Sequence, residues 1–254
     1  MHEWKREVEA GLRITRAAGQ IALRYFRSGL VPDTKSDDSP VTLADRESER
    51  YIAGALEEAF PDDGLLGEEG SQKPSHSGRR WIIDPIDGTR DFVRGSLPWA
   101  ILLGLEVDGE VVAGFSYLPA MGDLFHAVRG GGAFRNGQAI HVSSISDPKQ
   151  SVVCLNGFNA LANRPLAPKL LDWLQPFWSV RSMGGCLDAM LVVQGQAELW
   201  IEMQGKPWDF APLKILAEEA GGRFFDFQGR ATIYGGNCVI CTPGLEEAAL
   251  RLVS

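Results

Sequence analysis

The amino-acid sequence predicts a mixed α/β protein with an antiparallel-rich α+β first half and an alternating α/β second half. Three observations predict this class. The chain opens with two helical patterns, and turn signals typical of β-hairpins follow at residues 108–109 and 136–137. After residue 150, short apolar runs alternate with helical patterns. With 254 residues, of which 44% are hydrophobic, the chain is long enough to bury a substantial core.

The first half is predicted to hold two helices followed by a run of strands. Apolar residues at helical spacing predict an amphipathic helix over residues 4–28, which Gly29 is expected to end. Residues 31–40 are polar and rich in Asp and Ser, which predicts a loop. Thr42 and Asp45 have capping-box spacing, which predicts a second helix that ends before Pro61. Apolar runs predict strands over residues 65–66, 81–83, 100–107, 111–118 and 124–128, and a meander to residue 140.

The second half alternates between the two kinds of element. The predicted strands and helices, in chain order, cover residues 152–155, 165–174, 186–194, 199–202, 210–220, 223–227 and 238–242, with a last helix from residue 245. Polar residues 143–151 join the halves, so we expect an N-terminal part over residues 1–145 and a C-terminal part over residues 146–254. Four large side chains could line an interface but are expected in the core: Trp99, Phe115, Tyr117 and Trp178.

The charge balance and the absence of certain patterns exclude several classes of protein. Asp and Glu outnumber Lys and Arg by 33 to 25, a net charge of −8, which argues against a general binder of nucleic acids or membrane surfaces. A partner that carries phosphate would need help from metal cations. No apolar run approaches the roughly 18 residues of a membrane span, and the N-terminus lacks the apolar segment of a secretory signal, so a cytoplasmic location is expected. Reduced cysteines are expected, with Cys238 and Cys241 in a buried strand.

The most informative stretch is WIIDPIDGT at residues 81–89. Asp84 and Asp87 follow an apolar run and are separated by a proline, which interrupts regular strand continuation and lets both carboxylates converge on one point. The carbonyl of Ile86 could supply another oxygen. A set of hard oxygen ligands without His or Cys suits Mg²⁺ rather than zinc. The segment therefore predicts a magnesium site.

A phosphate site is predicted directly beside these carboxylates. If a helix begins at Gly88 and Thr89, its free N–H groups face the same point and favour an anion. The Asp-Pro-X-Asp-Gly pattern also occurs in ordinary turns, so by itself it leaves both interpretations open. Further carboxylates at predicted element ends favour the metal site. Glu68 and Glu69 share one loop, and Asp209 precedes a helix that it could otherwise cap.

Taken together, the motifs GEE, WIIDPIDGT and WD resemble those of the inositol monophosphatase family, the Mg²⁺-dependent and lithium-sensitive phosphatases. Flanking signals at residues 35–36, 130–137 and 218–222 resemble that family as well, so the resemblance covers most of the chain. It implies a layered αβαβα sandwich of the inositol monophosphatase/fructose-1,6-bisphosphatase type. It also implies a homodimer and hydrolysis of a small phosphate monoester by attack of a metal-activated water.

The resemblance further implies roles for individual residues. Two or three Mg²⁺ ions would be held by Glu68, Asp84, the Ile86 carbonyl, Asp87 and Asp209. Thr89, assisted by Asp45, would orient and deprotonate the attacking water. Glu68 counts among the catalytic groups too, and the phosphate would lie against Gly88 and Thr89. The remainder of the substrate would face Asp87, Gly184, Gly185, Cys186 and Glu202. Asp45 and Thr89 can also serve the ends of helices, and both roles can coexist.

The sequence leaves the identity of the ester open. Arg90 and Asp91 follow Thr89 where inositol phosphatases more often carry Thr and Asn, and this departure resembles the histidinol-phosphate phosphatase branch. Inositol monophosphate is placed slightly ahead, with histidinol phosphate or a range of sugar and polyol phosphates as alternatives. A non-catalytic protein that binds Mg²⁺ and a phosphate ligand is the alternative of another class, which the intact set of acidic residues disfavours.

Overall fold

The computed structural model describes residues 4–29, 31–35 and 40–253. Ser36, part of one flanking signal, and residues 37–39 of the predicted loop lie outside these ranges. The elements of the first half are α1 Lys5–Tyr25, β1 Asp33–Thr34, β2 Pro40–Val41, α2 Leu43–Ala59, β3 Gly64–Gly67, β4 Gln72–Lys73, β5 Arg79–Asp87, α3 Thr89–Arg94, β6 Ala100–Val107, β7 Glu110–Leu118, β8 Asp123–Val128, β9 Gly132–Arg135 and β10 Gln138–Ile140.

Eight of these strands form one sheet in the order β10-β9-β8-β7-β6-β5-β3-β4. Neighbouring strands are antiparallel except β3 and β5, which run parallel, so the first half is not purely antiparallel. The predicted hairpin between β6 and β7 is confirmed. Asp108 and Gly109 both take positive φ, at 50° and 84°, as a two-residue turn of the primed type requires.

The second half forms a smaller sheet. Its elements are β11 Val152–Asn156, α4 Phe158–Leu161, α5 Ala167–Leu174, β12 Ser179–Arg181, α6 Gly185–Val193, β13 Leu199–Glu202, α7 Pro207–Glu219, β14 Arg223–Phe225, β15 Cys238–Cys241 and α8 Glu246–Val253, with 3₁₀ turns at Pro148–Gln150 and Pro243–Leu245. The strand order is β12-β11-β13-β15-β14. The strand β11 runs parallel to β12 and β13, whereas β15 is antiparallel to both of its neighbours.

The elements stack as a layered αβαβα sandwich, as expected. Helices α1 and α2 pack on one face of the large sheet, and α6 and α7 lie between the two sheets. The outer face of the small sheet is covered by α5 and α8. Because α7 contacts strands of both sheets, a residue on it can reach the edge of either one. The boundary expected at residue 145 falls between β10 and β11 and stays a proposal.

Several local predictions need correction. The predicted loop at residues 31–40 contains β1, which pairs with β2. The short α4 and the edge strand β12 were not predicted, because few residues and no clear periodicity mark them. Trp178 is 72% exposed and does not belong to the core, unlike Trp99, Phe115 and Tyr117. Cys238 and Cys241 are buried and unpaired within β15, which confirms the core strand. None of the helices in the described ranges combines the length and hydropathy needed to cross a bilayer.

Candidate active site

A cavity of about 600 Å³ lies where the ends of β5, β13 and α7 meet. The predicted site residues that line it are Glu68, Asp84, Ile86, Asp87, Gly88, Thr89, Gly184, Gly185, Cys186, Glu202 and Asp209. Asp45 is not among the lining residues and reaches the cavity only through Thr89. The fold therefore brings together segments more than a hundred residues apart in the chain.

A β-bulge brings Asp84 and Asp87 to the same place. The sequence predicts that the strand ends before Asp84. In the structure β5 continues through the proline to Asp87. Asp84 pairs with Leu102 and Asp87 pairs with Ala100, so three steps along β5 match two steps along β6. Residues three apart in a regular strand point to opposite faces, and the extra residue cancels that alternation. The predicted convergence is confirmed, although its cause is a bulge within the strand rather than the strand's end.

The third carboxylate comes from the first turn of α7. The helix begins at Pro207, three residues earlier than predicted, so Asp209 occupies its first turn rather than its N-cap. The backbone N–H of Lys206 donates to Asp209 Oδ2 at 2.6 Å, which fixes the side chain at the helix end. The helix therefore delivers this carboxylate into the cavity from the layer between the sheets.

Asp84, Asp87 and Asp209 form a tight group of oxygen ligands. Carboxylate oxygens of the three residues lie within 4.8 Å of one another. Burial is the main cause that raises the pKa of each. The pKa of Asp84 lies well above its ordinary value, and those of Asp87 and Asp209 rise to about 6 and about 7. Within the described ranges, no Lys, Arg or His forms an ion pair with any of the three.

This donor set fits divalent magnesium. Three carboxylates without a compensating cation repel one another in a partly buried site, and a hard dication would remove that repulsion. The group contains neither His nor Cys ligands, the types that zinc prefers. The residues present therefore match the metal that the motifs imply.

Glu68 lies beside this group but is held by a lysine. The ammonium of Lys35 is 2.7 Å from Glu68 Oε1 and 2.5 Å from Glu69 Oε1. Glu68 nevertheless contributes to the raised pKa values of all three aspartates. Sequence reasoning gave Lys35 no role, because nothing in the spacing of residues 35 and 68 indicates a contact. Lys35 is not among the residues that line the cavity, so its ammonium acts on the site through Glu68.

Asp45 serves two neighbours with its two oxygens. Its Oδ2 accepts hydrogen bonds from the backbone N–H of Thr42 at 2.8 Å and from the Thr42 hydroxyl at 2.5 Å, so the capping box is confirmed. Its Oδ1 lies 3.3 Å from the hydroxyl of Thr89, which is also 3.1 Å from the Ile86 carbonyl oxygen. Burial raises the pKa of Asp45 and the hydrogen bonds from Thr42 oppose that shift. Helix capping and contact with Thr89 therefore coexist.

The first residues of α6 also contact Asp87. The backbone N–H of Cys186 donates to Asp87 Oδ2 at 3.1 Å. A methyl group added at Gly185 would lie 3.2 Å from the same oxygen, a tight contact that glycine avoids. Asp188 holds the residues just before α6 by accepting hydrogen bonds from the backbone N–H groups of Met183 and Gly184. Asp188 was not predicted, since its contacts arise only from the turn.

Two further carboxyl groups and an aromatic ring line the cavity, from Glu202, Asp91 and Phe158, and we call these three residues its far wall. Glu202 is buried and accepts hydrogen bonds from the Asn156 side chain at 2.7 Å and from the backbone N–H of Gln204 at 3.3 Å. Burial raises the pKa of Glu202 to about 8. Asp91 lines the same cavity, and burial raises its pKa as well. Phe158 of α4, 49% exposed, adds an aromatic edge that the sequence did not indicate.

The chain is similar to known proteins over nearly its whole length. A profile described as the inositol monophosphatase family matches residues 4–254. A histidinol-phosphatase of Chlorobaculum parvum is 40% identical over 235 residues, which cover 92% of this chain and 91% of that protein. An inositol-1-monophosphatase of Bacillus subtilis is 31% identical over 234 residues, 90% of this chain and 88% of that protein. An IMPase structure from Thermotoga maritima has a TM-score of 0.88 at 28% identity and covers 97% of this chain and 96% of its own.

Proposed function

The chain belongs to the inositol monophosphatase family and is a phosphatase, a phosphoric monoester hydrolase, and from that premise we propose that it hydrolyses histidinol phosphate with the help of Mg²⁺. Family membership favours an enzyme over the non-catalytic alternative. The proposal reverses the order of esters expected from the sequence. Two observations support the reversal: the name of the relative at 40% identity and the acidic far wall of the cavity.

The metal ligands in this proposal are Glu68, Asp84, the Ile86 carbonyl, Asp87 and Asp209. Bound Mg²⁺ would lower the pKa of the attacking water, neutralise the phosphate oxygens and stabilise the leaving alkoxide. The backbone at Gly88 and the first turn of α3 would face the phosphate. Gly88 has a φ of 81°, a conformation that glycine adopts at little cost, so its backbone can approach the ester closely.

Thr89 and Asp45 would handle the proton of the attacking water. While the Thr89 hydroxyl donates to Asp45 Oδ1, its lone pairs can accept a hydrogen bond from water in the cavity. The Thr89 hydroxyl would then lie between the water and Asp45 Oδ1, and the burial of Asp45 favours uptake of a proton. Because Thr42 occupies Oδ2, only Oδ1 is available for this purpose.

The far wall favours a cationic substrate. Glu202 and Asp91 face the cavity, and within the described ranges neither forms an ion pair with a basic side chain. Burial raises the pKa of Glu202 to about 8, and the ammonium of histidinol would stabilise its ionised form through a charged hydrogen bond. The imidazole would lie towards Phe158. An uncharged polyol would bring no positive charge to stabilise the ionised form of either carboxyl group.

Inositol monophosphate is the second candidate. A carboxylate such as Glu202 also accepts hydrogen bonds from sugar or polyol hydroxyl groups, and the relative at 31% identity carries that activity in its name. Arg90 lines the cavity beside Asp91 and offsets part of the acidic charge, which keeps a neutral polyol possible.

A substrate panel tests the proposal. Release of inorganic phosphate is measured for histidinol phosphate, inositol 1-phosphate and fructose 1,6-bisphosphate, each with Mg²⁺ and with a chelator. We expect the highest kcat/KM for histidinol phosphate and no turnover with the chelator. Inhibition by lithium belongs to the same proposal and is measured in the same assay. A higher kcat/KM for inositol 1-phosphate would make inositol monophosphate the preferred substrate, and the assignment of the chain as a phosphatase would stand.

The homodimer is also a proposal. Trp178 precedes the edge strand β12, and Val180 on that strand is 39% exposed, so an apolar edge is available for a second copy of the chain. Sedimentation of the wild type and of Trp178→Glu tests this. A dimer that the substitution dissociates is expected, and a monomeric wild type would reject the proposal.

A further inference from the structure

Glu49 is a buried carboxylate that touches the loop carrying Glu68. It lies on α2, is 2% exposed, and binds two backbone N–H groups with its two oxygens. The N–H of Glu69 donates to Oε2 at 2.7 Å, and the N–H of Ser71 donates to Oε1 at 2.8 Å. The two carboxylate oxygens therefore hold the turn between β3 and β4 at two of its residues.

The turn fits closely over this carboxylate. A methyl group added at Gly67 would lie 2.6 Å from the Glu49 carboxyl carbon, so only glycine lets the backbone approach this far. On the opposite side, the N–H of Glu68 donates to the Ile83 carbonyl of β5 at 3.1 Å. Glu68 is thus fixed between Glu49 beneath its turn and the strand that carries Asp84.

The helix α2 links this contact to the other half of the site. Asp45 and Glu49 are four residues apart, so they share one face of the helix, and both are buried. Asp45 reaches Thr89, and Glu49 reaches the turn of Glu68. One helix, fixed at its start by the Thr42 cap, therefore sets the positions of the candidate water-orienting pair and of one candidate metal ligand.

The cost of burying Glu49 points to a role in positioning. Within the described ranges no basic side chain forms an ion pair with it, and its charge is met only by backbone N–H groups. Burial of a charge is expensive unless hydrogen bonds satisfy it, and both carboxylate oxygens of Glu49 are used for the turn that carries Glu68. The Glu68 side chain is held separately by the ammonium of Lys35, so the hold of Glu49 acts on the backbone of the same turn.

We propose that Glu49 is a positioning residue that holds Glu68 in the geometry required for binding a divalent ion. The inference rests on the proposed function in one respect, namely that Glu68 is a metal ligand. Groups behind a ligand commonly change metal affinity by about 10- to 100-fold when they are lost. Glu49 would act through the backbone of Glu69 and Ser71 without touching the ion or the substrate.

The test compares Glu49→Gln with a matched control, Glu198→Gln. Glutamine keeps the size of Glu49 but presents an NH₂ group to one of the two N–H donors. Glu198 is likewise buried, at 3% exposure, and its Oε2 accepts the N–H of Val152 at 2.6 Å outside the cavity. Gly67→Ala is a second variant, because its methyl group displaces the Glu49 carboxylate without removing it.

Calorimetric titration with Mg²⁺ and the melting temperature of the metal-free protein are measured for each variant. We expect Glu49→Gln and Gly67→Ala to weaken Mg²⁺ binding by about 10- to 100-fold, whereas Glu198→Gln lowers only the melting temperature. Mg²⁺ affinity unchanged in both site variants, with stability lost as in the control, would overturn the inference. A wild type that binds no Mg²⁺ would instead overturn the proposed function, and this inference with it.

Discussion

The hydroxyl of Thr89 lies 3.3 Å from Asp45 Oδ1, while the other oxygen of Asp45 is fully engaged by Thr42. The two oxygens of Asp45 therefore serve helix capping and contact with Thr89 separately, two roles that the sequence assigned to the same residue without distinguishing them. One oxygen closes the start of α2, and the other points to the first residue of α3 at the edge of the cavity. Capping thereby orients the oxygen that faces Thr89.

Thr89→Ala is expected to lower kcat by roughly 10²-fold or more, because the water loses the group that orients it and passes its proton to Asp45. Mg²⁺ affinity should stay unchanged, since the carboxylate ligands are intact. Steady-state kinetics and a Mg²⁺ titration check both statements. Thr89→Ser, which keeps the hydroxyl, should retain most of the activity. If kcat in Thr89→Ala equals that of the wild type, Thr89 has no role in orienting the water and contributes only to the structure of α3.

Asp45→Asn is expected to keep the helix cap but to lower kcat. The amide oxygen can still accept the two hydrogen bonds from Thr42, which leaves an NH₂ group towards Thr89 in place of a proton acceptor. The melting temperature should therefore change less than in Thr42→Ala, which removes the cap itself. Kinetics and thermal unfolding of the two variants distinguish the roles. Full activity in Asp45→Asn would mean that Asp45 only caps the helix.

Asp209→Asn and Asp84→Asn are each expected to abolish turnover, because each removes a negative charge that holds a dication. Mg²⁺ binding, measured by calorimetry, should weaken in parallel. Asp226→Asn is a suitable control, since Asp226 is fully buried and paired with Arg230 outside the cavity. Near-normal activity that still depends on Mg²⁺ in either site variant would refute the ligand assignment.

The stability of the metal-free protein is expected to fall as the pH rises from about 4 to about 7. In the folded state burial raises the pKa of Asp87 to about 6 and of Asp209 to about 7, against an ordinary value of 3.8. Between these limits the folded protein binds more protons than the unfolded chain, so the free energy of unfolding decreases with pH. Above about pH 7 Asp209 completes its ionisation in the folded state, and Glu202, whose pKa burial raises to about 8, continues the decline through about pH 8.

Thermal unfolding in the presence of a chelator, from pH 4 to pH 8, measures this decline. In Asp209→Asn the free energy of unfolding should fall less steeply with pH. Subtracting the two slopes, of the wild type and of the variant, removes the contribution of all other titratable groups. Added Mg²⁺ should raise the melting temperature most at the upper end of the range, where the carboxylates are ionised. Identical slopes for the variant and the wild type would contradict the raised pKa of Asp209.

Glu202→Gln is expected to lower kcat/KM for histidinol phosphate by about 10- to 100-fold, because a charged hydrogen bond to the substrate ammonium is lost. Turnover of inositol 1-phosphate should fall less, since an amide oxygen still accepts from a hydroxyl. The two substrates are compared on the same enzyme preparation, so each controls for damage to the fold. Equal losses for both would remove the argument for a cationic substrate.

Local signals predicted much of the fold. The Thr42–Asp45 cap and the Asp108–Gly109 turn depend on atoms a few residues apart, and both are confirmed. The strand was predicted over residues 81–83, because the proline was expected to interrupt it, yet pairing with β6 resumes beyond the bulge and β5 reaches Asp87. Trp178 was expected to be buried on its hydrophobicity alone, whereas its exposure depends on where α5 and β12 lie.

The sequence alone determined which reactive side chains are present: two aspartates on either side of a proline, the pair Glu68 and Glu69, and Asp209 near the start of a helix. It also determined the family that these motifs resemble. Only the tertiary structure decided which of these groups meet. It brought Asp209 within 4.8 Å of Asp84, set Lys35 against Glu68, and fitted Glu49 beneath Gly67. These contacts join distant segments and arise only when packed layers exclude water, so no spacing along the chain encodes them.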